Sequence, residues 1–239
     1  MGADFTGDFP ASAVPLTDDD VLYEDNHLIA ICKKGGQIVQ EDKSGDKPLS
    51  ALVYDYLKVK YNKPGDVFVG VVHRLDRPVS GVILFAKTSK GLHRMNDMFK
   101  QREIRKTYWA MVRKHPVPES GKLVHWLVKD PETNVTTAYA EEVENGMRSE
   151  LSYKMIKEIG GYFLIEVNPL TGRPHQIRVQ LSTLGCPIVG DNKYGYPRGS
   201  RRRTIALHAR KLEFLHPVKK EPVSITARTP RDGFWEKYV

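Results

Sequence analysis

The 239-residue chain has little cysteine: only Cys32 and Cys186, far apart and at no metal-ligand spacing. That excludes a disulfide framework and a zinc site built on cysteine, and it fits reduced thiols in a reducing compartment. Long apolar runs are absent. Leu28-Ile-Ala-Ile-Cys32 and Val82-Ile-Leu-Phe-Ala86 are the strongest, far short of the ~20 residues that a spanning helix needs, so no membrane partner is expected. No Lys or Arg precedes Lys33, so the N-terminus lacks the basic region of a signal peptide, and the cytoplasm is the expected location. There is no repeat, no heptad, no low-complexity tract and no glycine-rich phosphate loop. With 40% hydrophobic residues, global disorder is excluded as well.

What is present is positive charge, unevenly spread. The net charge of +8 conceals acidic segments at 1–26 (net −7) and 130–150 (net −5), and basic ones at 87–114 (net +7) and 193–220 (net +8). Each basic segment adjoins a motif described below, so both are expected to face a polyanion, with the acidic segments elsewhere. Neutralising Arg201, Arg202 and Arg203 is expected to weaken that binding and flatten its salt dependence.

Residues 1–20 read as a flexible acidic leader, and 21–239 as a single domain. Strand patterns are expected at Val21-Leu-Tyr23, Leu28–Cys32, 68–72, 82–86, 107–112, 162–167, 204–209 and 223–227. Helical spacing covers Leu49, Leu52, Val53, Tyr56 and Leu57 after Pro48. It recurs at Leu92, Met95, Met98 and Phe99 after the candidate caps Thr88 and Ser89, and at Ile177, Leu181 and Leu184 after Gly172-Arg-Pro174. Residues 115–150, rich in Pro, Gly and acid, read as an insertion or loop region with short strand-like pieces. Strands outnumber helices without alternating with them, which favours an α+β domain on a mixed sheet.

Three stretches can carry chemistry. In His73-Arg-Leu-Asp-Arg-Pro-Val-Ser-Gly81, Asp76 lies between two arginines and should stay ionised. It can be a base, a nucleophile, a ligand, or a structural partner of Arg74 or Arg77. His73 and Asp76 have no second ligand pair to make a metal site. The string resembles a kinase catalytic loop, but no Asp-Phe-Gly follows. In Leu170-Thr-Gly-Arg-Pro-His-Gln-Ile-Arg-Val-Gln-Leu181, His175 and Arg178 share a helix face. A cation near a helix N-terminus is mildly unfavourable, which argues for a partner such as a buried carboxylate. In Arg102-Glu-Ile-Arg-Lys-Thr-Tyr108, cations stand beside an aromatic, a pairing suited to a stacked base and its phosphate.

These three stretches, in this order, resemble the signature motifs of the RluA family of RNA pseudouridine synthases. Supporting matches are Val21-Leu-Tyr-Glu-Asp25, Gly185-Cys-Pro-Ile-Val-Gly-Asp-Asn-Lys-Tyr-Gly195 and Leu207-His-Ala-Arg-Lys-Leu-Glu-Phe-Leu-His-Pro217. The resemblance spans roughly residues 21–227. It implies the pseudouridine synthase fold, a mixed and largely antiparallel sheet with flanking helices and a central RNA-binding cleft. The implied reaction isomerises a uridine of structured RNA (tRNA or rRNA) with no cofactor and no metal. It makes Asp76 the catalytic nucleophile, Tyr108 the residue packed on the target base and Arg178 the partner of the catalytic carboxylate. Arg74 would fill the space left by a flipped nucleotide. His73, Arg77, Lys106, Arg173, His175 and Arg201–Arg203 are expected on the RNA side. The family's N-terminal S4 domain is not expected before Val21, and a monomer is expected. Departures are Lys33-Lys-Gly-Gly36 for Lys-Pro-x-Gly, Val79 for Thr, Pro174 for Thr and Gln180 for His. The competing readings are a non-catalytic RNA-binding protein and, without a phosphate loop to support it, a phosphoryl-transfer enzyme.

Overall fold

The computed structural model describes residues 14–197, 204–232 and 234–239. The chain divides into two compact units that interleave in sequence. Of the described residues, one unit holds those up to Arg105 with Ala209–Pro230, the other Lys106–His208 with Arg231–Val239.

In the unit containing the N-terminal half, β1 (Val21–Glu24) pairs antiparallel with β2 (Leu28–Lys33), and β2 with β4 (Ser80–Ala86). Strand β3 is only Gly70–Val71, on β4, and the C-terminal strands β10 (Leu207–Leu215) and β11 (Pro222–Thr226) pair antiparallel. Phe68 is exposed, so the expected strand 68–72 reduces to that two-residue ladder. Every residue of β4 is buried, which explains its unbroken apolar run where a half-buried strand would alternate. Gly81 sits in β4 at φ +118°, and a Cβ there would stand 2.2 Å from the Ala209 carbonyl oxygen, so only glycine fits.

Helix α1 (Leu49–Lys60) buries Leu49, Leu52, Val53 and Leu57 as the spacing predicts, with Pro48 at the N-cap. Tyr56 is only half-buried, and its hydroxyl donates to Asp18. Helix α2 (Ser89–Lys100) is capped by Thr88, whose hydroxyl accepts the Gly91 N–H. Leu28, Val82, Leu84, Met95, Leu212 and Phe214 form the core between sheet and helix. The end of the expected leader is tied down: Asp18–Asp20 form a 3-10 turn, and the buried Asp20 pairs with Lys34 at 3.1 Å.

The second unit is an antiparallel sheet in the order β5-β9-β8-β6-β7. Its strands are Arg105–Val112, Tyr162–Pro169, Met147–Ile159, Ser120–Lys129 and Thr136–Tyr139 respectively. The expected loop region 115–150 therefore holds all or part of three strands, including the start of the longest. Its pattern hid them because some inward positions are small or polar: Thr136 is buried, and Ser149 is fully buried beside Leu151 and Tyr153. Helix α3 (Gln176–Thr183) begins two residues after Pro174, because His175 adopts a left-handed conformation at φ 56°. It is buried all round, Gln176, Arg178 and Gln180 included, so no amphipathic stripe describes it. A short helix, α4 (Trp235–Tyr238), closes the chain with a buried Trp235. No helix among the described residues is long and apolar enough to cross a membrane.

Candidate functional site

The segment between β3 and β4 is held from within by a lysine. Lys33 closes β2 opposite Gly81 and is 1% exposed. Its Nζ donates to the carbonyls of Val79 (2.6 Å), Arg77 (3.0 Å), Lys34 (3.2 Å) and Asp76 (3.3 Å). Four carbonyl dipoles replace the water that the ammonium loses. Burial still pushes the Lys33 pKa down to about 7, against the pull of the nearby Asp76 charge. The backbone around Asp76 is thus drawn onto one cation, and the Val79 N–H closes the turn on the Asp76 carbonyl at 3.0 Å.

The other motif side chains of this loop divide by contact. His73 Nε2 accepts the Leu84 N–H at 3.0 Å and its ring stacks on Phe99 at 5.0 Å, so this imidazole extends the β3–β4 ladder where β3 stops. Arg77 pairs with Asp46. Arg74 is exposed and Asp76 half-buried.

In the second unit the segment 170–178 is held by side chains. Thr171 Oγ1 accepts the Glu150 N–H (2.9 Å) and donates to Gln176 Oε1 (2.8 Å). The same Oε1 accepts the Arg173 N–H, and Gln176 Nε2 donates to the Glu150 carbonyl. Lys106 Nζ donates to the Thr171 carbonyl at 3.1 Å, so part of its hydrogen bonding ties β5 to this segment. Tyr108 is half-buried on β5 opposite Val167 of β9. Arg173 is half-buried as well, and its Nε has no hydrogen-bond partner among the described residues.

Arg178 is buried, and the buried carboxylate that its position calls for is present in Asp191. Nε lies 2.7 Å from Oδ2 and Nη2 2.8 Å from Oδ1, a two-pronged pair with both side chains buried. The Tyr194 ring stands 4.9 Å from the Arg178 guanidinium, and its hydroxyl meets His175 Nδ1 at 2.7 Å. Burial raises the Tyr194 pKa.

Sequence reasoning missed Lys33, Gln176, Asp191 and Tyr194 as site-building residues. The available signals were a lysine closing an otherwise apolar strand, and an acid and an aromatic inside the glycine-flanked run Gly190–Gly195. Arg201, Arg202 and Arg203 lie outside the described residues. The basic segments are also less uniform than their charge suggests. Lys87 pairs with Glu24, while Arg94, Lys193 and Arg210 donate to backbone carbonyls. Lys100, Arg102, Arg105, Arg113 and Lys114 are exposed. Among the described residues no group of three or more His, Cys, Asp or Glu side chains gathers as a metal site.

The RNA pseudouridylate synthase family profile matches residues 27–183, which includes the Asp76 loop, Tyr108 and Arg178. The ribosomal large subunit pseudouridine synthase C of Rickettsia felis is 33% identical over 231 residues, covering 95% of this chain and 72% of that protein. The tRNA pseudouridine synthase C of Haemophilus ducreyi is 34% identical over 224 residues, covering 87% of this chain and 90% of that protein. Among solved structures, human RNA pseudouridylate synthase domain containing 4 superposes with a TM-score of 0.75 at 24% identity, over 89% of each chain, which establishes the fold. The chain therefore belongs to the RNA pseudouridylate synthase family, in its RluA branch, and is an enzyme of the pseudouridine synthase class.

Proposed function

We propose that the chain isomerises a specific uridine of tRNA or rRNA to pseudouridine, with Asp76 as the nucleophile. The observation that carries this reading is the Asp76 loop itself: a carboxylate between two arginines, on a backbone gathered by Lys33, inside the matched family region. The names of the Rickettsia and Haemophilus relatives supply the two RNA classes.

A uridine within folded RNA must leave its stack before C6 or C1′ can be reached, so the target is flipped out. The Asp76 carboxylate then bonds either to C6 of the uracil or to C1′ of the ribose. The C1′–N1 bond breaks, the uracil turns, and C5 bonds to C1′. The bond to Asp76 is released, C5 gives up its proton and N1 gains one. Every atom is conserved, so the reaction consumes no co-substrate. Tyr108 supplies a flat apolar neighbour for the base. Arg178 supports the nucleophile as a carboxylate, the role that the family resemblance implies. Arg74 occupies the space that the base vacates. The exposed Lys100, Arg102, Arg105, Arg113 and Lys114 contact phosphates. One copy of the chain suffices for one RNA site, and light scattering checks the expected monomer.

The test incubates the purified chain with tRNA and rRNA transcripts and maps pseudouridine at single-nucleotide resolution. A discrete converted uridine is expected in one class of RNA. Tight binding without any conversion would make the chain an RNA-binding protein and sink the enzymatic reading.

A further inference from the structure

We propose that Tyr194 is a positioning residue for Arg178, and that its hydroxyl ties His175 and the start of β7 into the same unit. The inference rests on the reading of Arg178 as the partner of the nucleophilic carboxylate.

Tyr194 is 7% exposed and uses each part of its side chain differently. Its ring covers one side of the Arg178 guanidinium at 4.9 Å. Its Oη accepts the Thr136 N–H at 2.9 Å, and the same oxygen lies 2.7 Å from His175 Nδ1. The hydroxyl thus joins His175 to the Thr136 backbone through one oxygen.

These contacts bracket the start of α3. His175 is the N-cap at φ 56°, a conformation that needs support from its surroundings in a residue other than glycine. Arg178 follows three residues later. The Asp191 fork fixes the guanidinium within its plane, and the Tyr194 ring restricts motion out of it. Asp191 and Tyr194 come from one short segment, because the Tyr194 N–H donates to the Asp191 carbonyl at 3.1 Å. A phenylalanine would fill the same volume and keep the stack. The hydroxyl is required only for the Thr136 and His175 links, which is why those links separate positioning from packing.

The experiment compares Tyr194→Phe, Tyr194→Leu and the unaltered full-length chain. Single-turnover and steady-state kinetics on the converted RNA are measured together with the ¹⁵N–¹H resonance and hydrogen exchange of Arg178 Nε. Tyr194→Leu is expected to lower kcat about 10–100-fold with KM changed less than about 2-fold, and to speed Nε exchange. Tyr194→Phe is expected to keep the slow exchange and lower kcat about 3–10-fold. A folded Tyr194→Leu with unchanged kcat and unchanged exchange overturns the proposal, as does a loss confined to KM. If Tyr194→Leu fails to fold, Tyr194→Phe decides alone, and unaltered kcat in it removes the hydroxyl's role. The two readings fail separately. Full kcat in Arg178→Lys removes the catalytic reading of Arg178, whereas the exchange of Nε in the Tyr194 variants still reports whether Tyr194 holds it.

Discussion

The loop that carries Asp76 and the segment that carries Arg178 are built on opposite plans. The first is held through its backbone: one buried ammonium gathers the carbonyls of Asp76, Arg77 and Val79. The second is held through side chains, with Thr171, Gln176, Asp191 and Tyr194 each matched to a particular partner. A backbone-held loop tolerates substitution at every position whose carbonyl alone is read. A side-chain-held segment does not. Three of the four departures from the family pattern lie in or beside these two stretches. Val79 stands where a Thr is usual, and its carbonyl accepts from Lys33. Pro174 stands where a Thr is usual, and its carbonyl accepts from Thr136 Oγ1. Gln180 replaces a His at a fully buried position. Its Nε2 donates to the Leu123 carbonyl at 3.2 Å and lies 3.1 Å from His125 Nδ1, while its Oε1 has no hydrogen-bond partner among the described residues. Of the three, Gln180 is the one whose side chain hydrogen-bonds, and the Val79 side chain is buried as well.

The largest expected effect breaks the side-chain plan at its charged pair. Asp191→Ala leaves the buried Arg178 guanidinium without its fork and should cost about 3–5 kcal/mol of stability, measured by denaturant unfolding. A loss below about 1 kcal/mol would show that the pair does not hold the segment.

Next in size is the titration of Lys33, which tests the backbone plan. Its folded-state pKa, about 7, lies below the ordinary lysine value near ~10.4. Between those two values the unfolded chain binds a proton that the folded chain does not. By linkage, stability should therefore rise with pH across that window. Turnover should move the other way. The ammonium with three donors exists below about pH 7, and its loss as pH rises through that value loosens the Asp76 loop and lowers kcat. Lys33→Met should abolish both trends, read from unfolding and from rate profiles at matched pH. A Lys33→Met profile that keeps the kcat decline would assign it to another group. The smallest effect is at Val79: Val79→Thr places a hydroxyl at a buried position and should cost about 1–3 kcal/mol of stability, while kcat is unaltered because the Lys33 contact is made to its carbonyl.

The same contrast explains how much was legible in the sequence. Asp76 stood out because Arg74 and Arg77 flank it within the chain itself, although the structure pairs Arg77 with Asp46. The apolar runs of β2 and β4, the Thr88 cap and the spacing of α1 are local signals of the same kind, and the structure bears them out. The partners of Arg178 were not legible. Asp191 lies 13 residues on and Tyr194 beyond it, so only folding brings them to the guanidinium. Strands β6 and β8 were lost for a related reason, since Ser149 occupies a core position that alternation alone would assign to an apolar residue. Arg178 shows the partial case: its unfavourable place at a helix start pointed to a buried carboxylate without saying which residue supplies it.

The most direct measurement of the central claim is single-turnover pseudouridine formation by Asp76→Asn, paired with RNA affinity by filter binding. Asparagine keeps the shape of the side chain and the carbonyl that Lys33 reads, but it is no nucleophile. The expected result is a rate lowered by at least ~10³-fold with affinity within about 3-fold of the unaltered chain. Conversion at the unaltered rate would contradict the assignment of Asp76.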